Sequence, residues 1–386
     1  MFFAISSGPH DNFSKTYQLS PSFTVSTDEG WQQRVLGQYQ VVYKGYADSG
    51  PLDTLLDQIV TQHEPKLLGN FCAIVVDTQT NTLNIKSDRY RSFPIYIKDG
   101  EITNLVPGGR TAWTDSLIRA DANYHTTEDK FDVIGEIDTS IMSWADALDT
   151  VDSILLDRTR CFVKHNTAPV RVHLSGGVDS LLVYSYFRRL NAPVELIKCQ
   201  HMDYDRFWLM NFSTVQKNYW AYRQLHHWTD ACVLTSGAPG DEFMLRSPTT
   251  IQRYARANDI DILAVLQSSD CLHSEYFRRY LDVFATQEEP IADHGQLIHS
   301  ICNTIVNDWQ HWHLGHTLTY TPLRDLAITK TMLRLDKQAV SRQMFDSEFS
   351  VALINRTEPD LSRLISAKKN TGNYMSNLVD FLLDKS

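Results

Sequence analysis

A chain of 386 residues is too long for one ordinary hydrophobic core and has the length of two domains. Hydrophobic residues at 42% against 21% charged exclude a disordered or fibrous chain, and a net charge of −10 argues against a broad nucleic-acid or anionic-membrane surface. The start, Met1-Phe2-Phe3-Ala4-Ile5-Ser6, lacks the basic region of a signal peptide and no apolar run is long enough to span a bilayer, so a cytoplasmic protein with no membrane partner is expected.

The first third reads as β-rich. Leu52 to Val60 has apolar residues at helical spacing, and Phe71 to Val76 is a short apolar strand. After the polar turn Asp77 to Asn81, Leu83 and Ile85 alternate with polar neighbours as the partner strand. A second hairpin runs from Phe93 to Ile97 through Asp99-Gly100 into Glu101 to Val106. Hairpins plus a helix predict an α+β layer domain over 1–106, ended by Pro107-Gly108-Gly109, with 107–142 as a connector. At Ser143 a helix is predicted: Ser143 and Asp146 have capping-box spacing, and Trp144, Leu148, Val151, Leu155 and Phe162 share one face. The six cysteines stand singly with no Cys-x-x-Cys pair, so neither a zinc site nor a disulfide framework is expected.

The helix leads into Arg171-Val172-His173-Leu174-Ser175-Gly176-Gly177-Val178-Asp179-Ser180, an apolar strand, a Gly-Gly turn and an Asp-Ser pair that opens a new helix. Glycines let backbone N–H groups converge and the helix adds its positive end, which together make an anion cradle. A Walker loop would end in Gly-Lys-Ser/Thr, and that ending is absent. A second apolar run, Ala231 to Leu234, enters Thr235-Ser236-Gly237-Ala238-Pro239-Gly240-Asp241-Glu242-Phe243, another glycine-bearing turn closed by carboxylates. Two such turns at the carboxyl ends of strands suit a nucleotide at the edge of a doubly wound parallel sheet. Asp179 and Asp241 then have the chemistry to share one Mg²⁺ with phosphate oxygens. The next strand is expected at Val194 to Cys199, and the chain after about 248 reads as mostly helical, so the second domain is placed at 143–386.

These residues resemble the asparagine synthetase family and its β-lactam-forming relatives. Ser175 to Ser180 looks like the SGGxDS loop of PP-loop ATP pyrophosphatases, and Ser236-Gly237-x-x-Gly240-Asp241-Glu242 resembles the family's SGEGxDE loop. Thr321-Pro322-Leu323-Arg324-Asp325-Leu326 is a degenerate match to its Pro-Phe-Leu-Asp segment. In the first domain, Leu68 to Ala73 and Asp88 to Tyr96 look like the glutaminase stretch L-x-G-x-F-A … D-R-x-G-x-x-P-L-Y. The resemblance implies an Ntn-hydrolase-like sandwich in front of a PP-loop domain with a helical C-terminal part. It further implies ATP and pyrophosphate on His173, Ser175, Gly176, Gly177, Val178, Asp179, Ser180, Ser236, Gly237 and Gly240, with Mg²⁺ on Asp179, Asp241 and Glu242. In the family a C-terminal lysine stabilises the second transition state; Lys369 has the matching spacing to Gly372, with Lys368 as its competitor.

The activity so implied is an ATP-dependent carbon–nitrogen ligase whose partners are a small carboxylate and an amine, with a homodimer compatible. Three departures matter. Position 2 is Phe2 where the family has a nucleophilic cysteine, and a phenyl ring has no lone pair for attack, so no glutaminase activity is expected. Lys44-Gly45-Tyr46 stands where the family shows Asn-Gly-Glu, and Ala238 stands where it shows Glu or Tyr. Those changes leave open a different acid, such as a ring-closing amino acid, a peptide or a modified nucleobase, or a scaffold without catalysis.

Overall fold

The computed structural model describes residues 3–10, 13–62, 67–89, 95–98, 100–104, 110–112, 116–130, 135–174, 177–198, 231–235, 237, 240–246, 248–261, 296–298, 301 and 318–361. Within them the architecture is mixed, with two six-stranded antiparallel sheets followed by a four-stranded parallel sheet and helices. No helix among the described residues is long and apolar enough to cross a membrane.

The strand Gly69–Asp77 is central to the second antiparallel sheet, and its side chains alternate between two cores. Cys72, Ile74 and Val76 face Phe3, Phe23, Val25 and Ile102 of the first sheet. Phe71, Ala73 and Val75 pack with Leu52, Leu56, Ile59 and Val60 of the helix Leu52–Thr61. Burial on both faces explains why this stretch reads as a continuous apolar run rather than an alternating one.

Within the stretch 107–142, expected as a connector, the described residues include three strands. Arg110–Ala112 pairs with Ile95–Ile97, and the hairpin Ser116–Ala120/Thr126–Lys130 completes the second sheet beside Thr82–Ser87. Its turn is chemical rather than apolar: Asp121 Oδ1 accepts from the N–H of Asn123 at 2.8 Å and of His125 at 2.9 Å. Tyr124, at φ +61°, sets its ring edge-on to Phe23 at 5.4 Å. One half-buried tyrosine packed against the core therefore does what an apolar strand pattern would have announced.

The helix Trp144–His165 starts where predicted. Ser143 Oγ accepts from the Asp146 N–H at 3.1 Å and donates to its Oδ2 at 2.6 Å. Ser143→Ala should lower unfolding free energy by about 1 kcal/mol, the usual worth of such a cap. A urea midpoint unchanged within error would mean solvent replaces the hydroxyl at no cost.

The parallel sheet has the order Glu195–Lys198, Val170–Leu174, Val233–Thr235, Leu318–Tyr320. The chain leaves Val170–Leu174 toward one neighbour, then returns to its other side. That reversal makes a crevice at the carboxyl ends of Val170–Leu174 and Val233–Thr235. The edge strand Leu318–Tyr320 lies in a tract that reads as helical, because three residues carry too little pattern to register.

Buried ion pairs join the antiparallel layers to the parallel sheet. Arg158, on the apolar face of the helix Trp144–His165, donates from Nε to Asp48 Oδ2 at 2.6 Å. Its Nη1 reaches the carbonyls of Pro322 and Arg324, each at 3.0 Å. Arg324 donates to Asn70 Oδ1 at 3.1 Å and lies 3.7 Å from Asp88. Tyr46 accepts from the Thr321 N–H at 3.1 Å, and Tyr320 stacks on Phe162 with centroids 3.9 Å apart. The 321–326 segment is thus an interface element.

Candidate functional site

The crevice brings together the two turns that the sequence singles out. Gly177 caps the helix Val178–Arg189, and Ser180 Oγ donates to the Gly177 carbonyl at 2.9 Å. Val178, Asp179 and Ser180 are all buried in the first turn of this helix. From the neighbouring strand, Gly237 and Gly240 press directly onto Asp179. A Cβ at Gly237 would collide with the backbone of Asp179 and Ser180. At Gly240 it would sit 2.5 Å from Asp179 Cγ and 2.7 Å from Leu323 Cδ1. The glycines of the second turn are required by this close approach.

Asp179 and Asp241 converge on one cation, and it belongs to the chain. Arg246 Nη2 donates to Asp179 Oδ2 and, at 2.8 Å, to Asp241 Oδ1, while Nη1 donates to Ser347 Oγ at 2.8 Å. The segment below is fixed: the Phe243 carbonyl accepts from Thr329 Oγ1 at 2.8 Å, and that of Met244 from the Gln343 amide at 3.0 Å. Leu245, buried at φ +57°, turns the chain so that Arg246 points back at the carboxylates. Burial pushes the Asp179 carboxyl above its ordinary range against the pull of Arg246, and Asp241 adds to the rise. For Arg246 burial opposes the charge, and the carboxylates of Asp179 and Asp241 overcome it, raising its pKa. Sequence reasoning missed Arg246, which lies in no motif; a basic residue a few positions after Asp241-Glu242 was its only signal.

The pair suits a hard divalent ion. Asp179 Oδ1 is buried with no hydrogen-bond partner, and the Asp241 side chain is 60% exposed, so oxygen ligands remain for an ion that also takes phosphate oxygens. Glu242, expected as a third ligand, also acts on Arg246, its charge helping to raise the guanidinium pKa. Among the described residues no group of three His, Cys, Asp or Glu side chains is placed to hold a metal.

Of the other expected site residues, His173 lies in its strand paired with Ile197. Ser175, Gly176, Ser236, Ala238, Lys368, Lys369 and Phe2 fall outside the described residues. In the tripeptide Lys44-Gly45-Tyr46 both side chains are committed internally. Lys44 Nζ donates to Asp28 Oδ2 at 3.0 Å and to the Glu29 carbonyl at 2.6 Å, and Tyr46 holds Thr321. Burial lowers the Lys44 pKa even though Asp28 opposes the change. Beside it, a cavity of about 180 Å³ lies between the layers, lined by Gly30, Gln32, Tyr43 and Lys44 on one side and Ala231 and Leu318 on the other. It sits at the amino ends of the parallel strands, away from the Asp179 turn.

No family model matches the chain, and no curated protein does either.

Proposed function

We propose that this protein is an ATP-dependent amide-forming ligase of the asparagine synthetase type, cytoplasmic, with an Ntn-hydrolase-like sandwich that no longer hydrolyses glutamine and a PP-loop domain that activates a carboxylate. The main support is the meeting of two glycine-bearing turns at the switch point of a parallel sheet, with Asp179 and Asp241 directed at one cation. In the first step a substrate carboxylate oxygen bonds to the α-phosphorus of ATP, the bond to the bridging oxygen breaks, and pyrophosphate leaves with the electron pair. In the second, an amine attacks the acyl carbon, AMP departs, and the amine proton passes to solvent or a base.

The turn from Ser175 to Ser180 would hold the leaving pyrophosphate through backbone N–H groups and the helix that Gly177 caps. Asp179 and Asp241 would bind Mg²⁺, which when bound neutralises charge on that leaving group. The resemblance assigns Lys369, with Lys368 beside it, to the charge developing at the acyl carbon. Internal commitment of Lys44 and Tyr46 supports the loss of a glutamine grip. Asparagine formation from aspartate and ammonia is the reference reaction; a β-lactam-forming, peptide or nucleobase substrate is the alternative within the same chemistry.

Exchange of radiolabelled pyrophosphate into ATP, run across a panel of amino and carboxylic acids, tests the proposal. The expected result is Mg²⁺-dependent exchange with one acid and little with the others. A second reading, a scaffold whose site has closed, draws on Arg246 already occupying the carboxylates. It gains if calorimetry detects no Mg²⁺-dependent ATP binding and no acid supports exchange.

A further inference from the structure

Arg246 is the most deeply buried charge of the site, its side chain 5% exposed, yet the two-turn chemistry does not call for it. One nitrogen bridges Asp179 and Asp241 and another is anchored on Ser347 Oγ. Ser347 is enclosed: it joins the helices Lys337–Asp346 and Glu348–Thr357 at φ +57° and has no exposed surface. Two polar atoms are left over, Arg246 Nε and Asp179 Oδ1, each buried without a hydrogen-bond partner. A donor and an acceptor remain unsatisfied in one buried cluster whose carboxylates are already neutralised in part.

A divalent ion and a guanidinium cannot both take a full share of these oxygens, since like charges a few ångströms apart in a poorly solvated site repel strongly. We propose that Arg246 is the resident cation of the site and sets its affinity for divalent metal. An ion arriving alone competes with the guanidinium; an ion arriving with a polyphosphate does not, because phosphate oxygens take over the guanidinium's donors. Metal occupancy is thereby tied to the anionic ligand, and the Ser347 anchor keeps the guanidinium in place for the exchange. The inference rests on the ligase reading in one respect, the polyphosphate of ATP as the ligand that relieves the competition.

The test is Mn²⁺ binding to the full chain, followed by electron paramagnetic resonance at fixed ionic strength, with and without a non-hydrolysable ATP analogue. The unmodified chain should bind Mn²⁺ weakly alone and at least about tenfold more tightly with the analogue. Arg246→Gln should tighten binding of Mn²⁺ alone by about tenfold and shrink the gain from the analogue. Arg246→Lys, which keeps the charge, should stay weak. Ser347→Ala, which removes the anchor and no charge, should shift affinity in the same direction as Arg246→Gln but less, and it serves should the glutamine variant not fold. Unchanged or weaker Mn²⁺ binding in Arg246→Gln, or in Ser347→Ala in its place, overturns the proposal. Adding Asp241→Asn to either variant should abolish the tightened binding. If it does not, the cation is held elsewhere, and it is the site behind the ligase reading that fails.

Discussion

Arg158→Met should cost roughly 3–5 kcal/mol of unfolding free energy, the range for breaking a buried ion pair from one side. The loss does not lie in the contact alone. Asp48 keeps no counterion at its fully buried position, and its Oδ1 already lacks a hydrogen-bond partner. Burial already raises the Asp48 pKa, so without Arg158 the carboxyl would take up a proton and fold at a penalty. The carbonyls of Pro322 and Arg324 also lose a shared donor. Asp325 suffers less, since it also caps the helix Leu326–Leu333 by accepting from the Ala327 N–H at 2.8 Å. Chemical denaturation followed by tryptophan fluorescence and far-ultraviolet circular dichroism should show both the drop and a separation of the two transitions. Adding Asp48→Leu to Arg158→Met should recover part of the loss, because it removes the stranded charge. A single coincident transition with a cost below about 1 kcal/mol would show that apolar packing around Phe162 and Tyr320 joins the layers without help from the ions.

Gly240→Ala should cost roughly 1–3 kcal/mol of stability, the penalty for overpacking a closed site, and on the proposed function it should also remove Mg²⁺-dependent nucleotide binding. The added methyl has no free volume: Asp179 Cγ and Leu323 Cδ1 stand at 2.5 and 2.7 Å from where it would lie. Relief requires either that the Asp179 carboxylate swing away, which breaks the bridge to Arg246, or that the 321–326 segment back off toward the layer interface. Gly237→Ala should be worse still, because the atoms it meets are backbone atoms of Asp179 and Ser180. Gly8→Ala, with open space around it, is the matched control and should change stability by no more than about 0.5 kcal/mol. Calorimetric titration with ATP and Mg²⁺ beside thermal melts separates the two effects. Full nucleotide affinity in a stable Gly240→Ala protein would mean that the turns meet less closely in solution and that Asp179 is not positioned by them.

The antiparallel layers show how local signals and long-range packing divided the information. The hairpin Gly69–Asp77/Thr82–Ser87, the helix Leu52–Thr61 and the cap at Ser143 were readable because each is announced within about ten residues by period, turn chemistry or cap spacing. The hairpin Ser116–Ala120/Thr126–Lys130 was not, since its turn is held by Asp121 and its burial by a ring from the turn itself. The strand Leu318–Tyr320 was not either. Its three residues become a strand because Val233–Thr235 offers a parallel edge.

At the site, the amino-acid order alone determined which two turns carry glycine and carboxylate, and that a helix begins at the first of them, because those features depend on neighbours in the chain. Only the tertiary structure decided that Gly237 and Gly240 lie against Asp179, that Arg246 bridges the two carboxylates, and that Arg158 binds Asp48. The partners in the last two pairs are 67 and 110 residues apart for Arg246–Asp179 and Arg158–Asp48. Charge pairing across such distances leaves no periodicity in the chain. It is set by how strands and helices stack, and by the cost of leaving a buried charge without a partner.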